Sequence, residues 1–499
     1  MLYSPARSRT RLLAITGSVA SAVLVIGASR AGSPPGVTTP DGPFGFWRPV
    51  STGRGWFAAL AAVAVCVLAV VFIRLYRITM SGRVSIKSVV RTVAPWYLPV
   101  LLAPPLLSLD AYSYAAQGWM LRSHLDPYTL GPISLGSGPI LDAVAPVWRA
   151  TPAPYGPLSL ALLKVVVGLG DGNLPTTMYL LRLVAVVAVV AAVAAAVALA
   201  EPAQRPAALV LVGANPLVLL HLAGGVHLDA LLAALAASTA LALRHRWFTA
   251  AAFAAVTAFA VKLPGLVLVG WVVLTQARAH GMLNRRTWGT LATVAVAGAG
   301  YAVVVPHGWG WITALDVPGK IRHPYDPATI LGWAVHLTGR ATGFPIDLVD
   351  GVRIGRMVAL AVGAVLVLGL VWRAAAPKCT APAALAGGAL AVVALAAPTV
   401  HAWYACWGLA LVAAAGSVKS RWWLVALSVA LCFTALPDPL NRHGLGLLLT
   451  ACLLLAALGA VLVTAVPTVL DLPRRMAARL VPVAVGFGRV DDATAPEVD

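Results

Sequence analysis

Apolar residues run in long blocks almost from one end of the chain to the other, with polar and basic residues confined to short intervals between them. Blocks near 12–29, 56–73, 92–109, 178–200, 206–223, 226–243, 287–305, 352–373, 381–399 and 444–467 approach the ~20 residues that a helix needs to cross a bilayer. Shorter blocks near 156–170, 247–260, 263–275, 404–417 and 421–436 read as half-helices or members of tight hairpins, which membrane proteins tolerate when buried in protein. The pattern predicts an all-α polytopic membrane protein with about 13–14 transmembrane helices. It forms one domain over residues 1–471, followed by a cytoplasmic tail at 472–499 whose end, 491–499, is acidic and small.

Composition agrees with that reading. Of 499 residues, 60% are hydrophobic and 11% charged, where a soluble domain carries about 25% charged residues. The formal charge of +19 sits in short clusters between apolar blocks, such as Arg74/Arg77/Arg83/Lys87/Arg91 and Arg278/Arg285/Arg286. That placement suits cytoplasmic loops facing anionic headgroups rather than a nucleic-acid partner. Counting basic loops puts the N-terminus, 74–91, 244–246, 278–286, 373–378, 417–421 and 473–479 in the cytoplasm. Asp110, the 224–229 turn and the stretches 306–351, 399–404 and 437–444 then lie outside. The count closes only if 156–170 is re-entrant or interfacial. The first apolar block follows Arg7, Arg9 and Arg11 as a signal peptide would, and with so many blocks behind it we read it as an uncleaved helix. Five cysteines without a CxxC pair predict neither a metal site nor a disulfide framework.

Two long outer loops, about 110–155 and 306–351, concentrate Pro, Gly, Tyr and Trp, and loops of that length tend to be functional. The first opens with Asp110, Tyr112, Ser113, Tyr114 and Gln117, and continues through Asp126, Tyr128 and Tyr155. A carboxylate at the bilayer edge can act as general base toward a hydroxyl, and tyrosines beside it can stack on sugars and hydrogen-bond them. Asp110 can equally serve as a helix cap. A second cluster holds His221, His227 and Asp229 around Gly224-Gly225. Intramembrane ionisable groups mark functional sites, but these three lack a recognised metal-ligand spacing. Lys262 stands alone between two apolar halves, placed either to meet a lipid phosphate or to snorkel to the headgroups. Lys320 and Arg322, near His323, Tyr325 and Asp326, suit a phosphate or a solvated turn. His401, Trp403 and Tyr404 mark another outer boundary, where aromatic residues are common in any case. There is no phosphate-cradling GxxxxGK[ST] and no nucleophile elbow with a matching triad.

Taken together, "DAYSYAAQG" at 110–118, "LDPYTLGP" at 125–132, "APVWRATPAPYGP" at 145–157, "NPLVLLHLAGGVHLDALL" at 215–232 and "APTVHAWY" at 397–404 resemble the GT-C superfamily of polyprenol-phosphate-sugar glycosyltransferases. Within it, the chain is most similar to the actinobacterial α-(1→6)-mannopyranosyltransferases of the lipomannan and lipoarabinomannan core, over roughly residues 90–440. The resemblance implies an inverting enzyme of the plasma membrane with its site on the extracytoplasmic side. It implies a β-linked polyprenyl-phosphate-mannose donor, and as acceptor an α-1,6-mannan or a phosphatidylinositol-mannoside-type glycolipid. No nucleotide is implied, and no divalent metal is expected. Asp110 would be the base; Tyr112, Tyr114, Gln117, Asp126, Tyr128, Tyr155, His227, Asp229, His401, Trp403 and Tyr404 would bind substrate; and Lys262, Lys320 and Arg322 would meet the phosphate. The chain departs from the family's GGVHN at His227-Leu228-Asp229, which puts the acceptor contacts there in question. A different polyprenyl sugar, arabinose or glucose, remains open, as does a lipid-linked-sugar transporter, although polar groups gathered at one face favour chemistry over transport.

Overall fold

A computed structural model describes residues 5–33, 36–40, 53–82, 84–315, 317–324, 326–434 and 436–437. The expected crossing at 444–467, the 437–444 stretch beyond Pro437, the tail at 472–499 and Tyr325 lie outside the described residues. Every regular element among the described residues is helical. It opens with α1 (Pro5–Ala31), α2 (Arg54–Met80) and α3 (Ile86–Leu102), then α4 (Asp110–Arg122), two short turns α5 (Pro139–Ala143) and α6 (Pro146–Arg149), and α7 (Pro157–Leu169). Next come α8 (Leu174–Leu199), α9 (Arg205–Gly213), a π-helical turn at Val218–Gly224, α10 (Asp229–Arg244), α11 (Phe248–Val261), α12 (Leu266–His280) and α13 (Arg285–Ala302). The last elements are α14 (Pro327–Ala341), α15 (Leu348–Ala374), α16 (Pro382–Ala396), α17 (Leu409–Ala415) and α18 (Val418–Leu431).

Among the described residues four helices are long and apolar enough to cross a membrane alone: Ser8–Ala31 within α1, then α2, α8 and α15. A fifth span arises if the pair bent by 60° at Asn215-Pro216 is counted as one. Several of the other apolar blocks among the described residues form shorter or broken helices, because prolines interrupt them. Pro104-Pro105 ends α3 at Leu102, where the hydrophobic pattern ran on to residue 109. Asn215 anchors the bent pair, accepting the Leu217 N–H at 3.0 Å and donating to Ser428 Oγ at 2.9 Å. The Lys262-Leu263-Pro264-Gly265 break divides α11 from α12. At 13 residues, α7 is ~20 Å long, shorter than a ~30 Å hydrocarbon core.

The helices pack as a chain of neighbours: α1 on α2 and α3, α9 against α2 and α3, α8 on α9 and α10, α10 on α11, and α14–α15–α16–α17 in succession. A continuous apolar core runs from Leu24 and Phe72 through Leu220 and Leu232 to Leu390 and Leu411. The first long loop is not irregular, for it contains α4, which packs against α7 and α8. Gly118 makes the α4–α7 approach possible, since a Cβ there would stand 2.5 Å from the Leu163 carbonyl oxygen.

Candidate active site

The segment from Ala103 to Leu109 carries the chain from the end of α3 to Asp110, the first residue of α4. Ser108 Oγ accepts the Asp110 N–H at 3.2 Å, leaving the carboxylate free to reach across the site. Its Oδ1 accepts a hydrogen bond from Trp148 Nε1 at 3.2 Å, and its Oδ2 lies 3.7 Å from His227 Nδ1. The same His227 nitrogen is 3.4 Å from the Tyr114 hydroxyl, and Tyr114 meets Tyr155 edge to face at 5.3 Å. Asp110 lies beyond the end of α3, and burial pushes its carboxyl up to about 6, against the opposing pull of the Lys262 charge and the Trp148 hydrogen bond. A carboxylate tuned to this range is ionised at neutral pH and basic enough to take a proton.

His227 is placed by the turn before it. Gly225 admits its ring, because a Cβ at that position would meet His227 Cδ2 at 2.9 Å. The His227 ring stacks on Trp403 at 3.8 Å, and Trp403 stacks on His401 at 4.5 Å. With rings stacked on it, the buried Trp403 indole holds the His227 and His401 imidazoles in place beside the cavities.

Lys262 does not snorkel. Its ammonium donates to Asp229 Oδ1 at 2.9 Å, and Trp407 Nε1 donates to the same oxygen at 2.5 Å. It also lies over the rings of Tyr404 (4.4 Å), Trp407 (5.3 Å) and Tyr155 (5.6 Å), where cation–π attraction adds to the ion pair. The backbone reason is local. The α11 carbonyl of Val261 is taken by the Gly156 N–H at 3.1 Å and by Ser159 Oγ at 2.9 Å, which brings Tyr155 beside Lys262.

Two cavities meet at Asp110. One, of about 440 Å³, is lined by Ser29, Ser33, Thr39, Ser108, Tyr112 and His323, among others. The other, of about 190 Å³, is lined by Ser113, Gln117, Tyr155, Lys262, Tyr404 and Trp407, and by apolar Leu360 and Val393. Asp110, Trp148, His401 and Trp403 line both, and Asp110 is the one carboxylate among the described lining residues of either. In the smaller cavity Ser113 Oγ and Gln117 Oε1 are buried without a hydrogen-bond partner, so a ligand with hydroxyl groups would satisfy them.

The sequence-predicted residues divide accordingly. Asp110, Tyr112, Gln117, Tyr155, Lys262, His401, Trp403 and Tyr404 line the cavities. Tyr114, His227 and Asp229 stand one layer behind them. Asp126 and Tyr128 line neither cavity. Asp126 closes a turn on the Tyr128 N–H at 2.9 Å and pairs with His307 at 3.0 Å, while Tyr128 is buried against Gly310. Lys320 and Arg322 are exposed and line neither cavity. The Ile321 carbonyl between them is held by Arg356 (3.2 Å) and Thr399 (2.6 Å), and Ile321 itself lines the larger cavity. The metal set weighed at His221, His227 and Asp229 does not assemble: the two rings are 6.3 Å apart, Asp229 is engaged by Lys262, and among the described residues no three such side chains converge.

Trp407, and Trp148 apart from its place in the 145–157 motif, enter the site without having been singled out by residue type. The signal for Trp148 and Trp407 was weak, because tryptophan at a membrane boundary is ordinary and only an indole N–H aimed at a carboxylate distinguishes these two.

Comparison with known proteins matches residues 14–278 to a family described as α-(1→6)-mannopyranosyltransferase, N-terminal domain, and residues 328–467 to the MptB C-terminal domain. Alpha-(1→6)-mannopyranosyltransferase A of Mycobacterium tuberculosis is 32% identical over 379 residues, covering 74% of this chain and 73% of the relative. Alpha-(1→6)-mannopyranosyltransferase B of Corynebacterium glutamicum is 28% identical over 462 residues, covering 85% and 76%. No solved structure matches. With a carboxylate between two cavities on an all-helical membrane scaffold, and a family match over more than half its length, the chain belongs to the α-(1→6)-mannopyranosyltransferase family of glycosyltransferases.

Proposed function

We propose that this enzyme moves mannose from a polyprenyl-phosphate donor to a mannan acceptor by a single inverting displacement, with Asp110 as base. The observation that carries the reading is the placement of the Asp110 carboxylate on the boundary of both cavities. The smaller cavity suits the donor. Its apolar side, with Leu360 and Val393 on α15 and α16, accommodates the start of a prenyl chain, and Lys262 supplies a cation for the phosphate. Ser113 and Gln117 stand ready for sugar hydroxyls. The larger cavity, rimmed by Ser29, Ser33 and Thr39, suits the growing acceptor.

In the step itself the acceptor 6-hydroxyl oxygen bonds to the anomeric carbon as the bond from that carbon to the phosphate oxygen breaks. The hydroxyl proton passes to Asp110, and polyprenyl phosphate leaves with the electron pair. A β-linked donor thus gives an α product without an enzyme nucleophile. The site would face the extracytoplasmic side of the plasma membrane, as the basic-loop count requires, within assembly of the lipomannan and lipoarabinomannan core. The acceptor would be an α-1,6-mannan or a phosphatidylinositol-mannoside-type glycolipid, and the reaction needs no nucleotide.

The test is transfer in isolated membranes, with labelled polyprenol-phosphate mannose and a short α-(1→6) dimannoside, for wild type beside Asp110→Asn. Loss of the base should lower kcat by about 100-fold or more with little change in KM. Full activity in the Asn variant would remove Asp110 from the base role. Transfer of arabinose or glucose but not mannose would retain the mechanism and overturn the donor.

A further inference from the structure

Arg182 sits in the apolar helix α8, is 1% exposed and lines neither cavity. An arginine at such a position is costly unless every donor finds a partner, and here the partners are four backbone carbonyls on two separate segments. Nη1 donates to Ala103 and Nη2 to Pro104 at 2.9 Å, both on the stretch that leads to Asp110. Nε donates to Ala223 and Nη2 to Gly224, each at 3.2 Å, at the end of the π-helical turn that leads to His227.

Both segments need such a partner. The last carbonyls of a helix lack intrahelical donors, and after α3 the next residues but one, Pro104 and Pro105, have no N–H to offer. One turn earlier on the same face of α8, the Tyr179 hydroxyl donates to the Leu102 carbonyl at 3.1 Å. The Leu106 N–H completes the junction by donating to Gly224 at 2.8 Å. Just beyond the junction each segment turns through a residue that bears a side chain yet has positive φ, Leu107 at 59° and Val226 at 61°. Residues of this kind, and a β-branched valine above all, hold that conformation only when their surroundings impose it.

We infer that Arg182 is a positioning residue for the transfer: by tying these two segments together it sets the spacing between the Asp110 carboxylate and the His227 ring, and so where the base stands against the acceptor hydroxyl. The inference rests on the reading of Asp110 as base. Lysine retains the charge but not the planar fork that reaches both segments at once.

The experiment measures kcat, both KM values, the pH profile of kcat and the thermal midpoint for wild type, Arg182→Lys, Tyr179→Phe and Asp110→Asn in the same membranes. Misplacement of a catalytic group by ~1 Å can cost about 100-fold, so Arg182→Lys should lower kcat roughly 10- to 100-fold. Its KM values should stay within about twofold, and its acid limb should be displaced, because the base would then titrate in altered surroundings. Tyr179→Phe, which loses one tie at a half-buried position, should lose a few-fold. An Arg182→Lys enzyme with wild-type kcat and acid limb overturns the inference. So does a loss of kcat that only tracks loss of folded protein, with the pH profile unmoved. If Arg182→Lys does not fold, Tyr179→Phe decides, and wild-type kcat there counts against the inference. Asp110→Asn separates the two readings: its full activity defeats the base assignment, whereas its inactivity beside a normal Arg182→Lys defeats the positioning role alone.

Discussion

Replacing Lys262 with methionine tests whether the caged cation serves the substrate or only its own neighbourhood. The Asp229 carboxylate is fully buried, and it holds Lys262 at 2.9 Å and Trp407 at 2.5 Å through one oxygen, while its Oδ2 has no partner. Direct attraction at 2.9 Å is about 6 kcal/mol at an effective dielectric of ~20. Much of this is offset by the cost of taking both charges out of water. Removing one partner leaves the other charge buried and unpaired, which typically costs 3–5 kcal/mol, by about the measured range for such losses. At ~1 °C per kcal/mol for a chain of this size, Lys262→Met should melt roughly 3–5 °C lower in detergent. Adding Asp229→Asn removes the stranded charge and should recover most of that fall. If Lys262 also meets the donor phosphate, the double variant regains stability while its donor KM stays about tenfold or more above wild type, as loss of ~1.4 kcal/mol of binding would give. A single variant that melts like wild type would refute the stability argument. A double variant with normal donor KM would reduce Lys262 to a structural partner of Asp229.

The surroundings of the Asp110 carboxyl carry a second prediction. With that carboxyl near 6, the basic form dominates above this pH, so kcat/KM should fall about tenfold per unit as pH drops below it. Trp148→Phe keeps the ring but removes the indole N–H that favours the ionised carboxylate; the acid limb should therefore move to higher pH, and an unmoved limb would show that the bond is absent in the working enzyme. A third prediction concerns Asp326, which is buried and accepts the backbone N–H groups of Val400 at 2.8 Å and His323 at 2.9 Å. Asp326→Asn should leave one of them unsatisfied, at about 1–3 kcal/mol, and speed hydrogen exchange around His323 and Val400, whereas unchanged exchange would mean that the two loops are held by other contacts.

Hydrophobic patterning alone determined the membrane class, the all-helical fold and the position of most helices, because crossing a bilayer demands long apolar runs whose backbone groups are satisfied within the segment. It misplaced the end of α3, because hydropathy continues through Pro104-Pro105, as it does through Asn215-Pro216 and Pro264, while backbone geometry does not. Residue types and order in the first loop pointed to Asp110 and its tyrosines, and a lone lysine between apolar halves pointed to Lys262. Arg182 left a signal of the same kind, a single charge within an apolar block, but its meaning depended on which carbonyls it reached. Only tertiary structure could separate Lys262, turned inward onto Asp229, from Lys320 and Arg322, which are exposed and line neither cavity. It alone brought Trp148, 38 positions along the chain, within 3.2 Å of the Asp110 carboxylate, and Trp403 onto His227. Residue type records what a side chain can donate or accept; which partner it meets is set by how helices far apart in sequence pack.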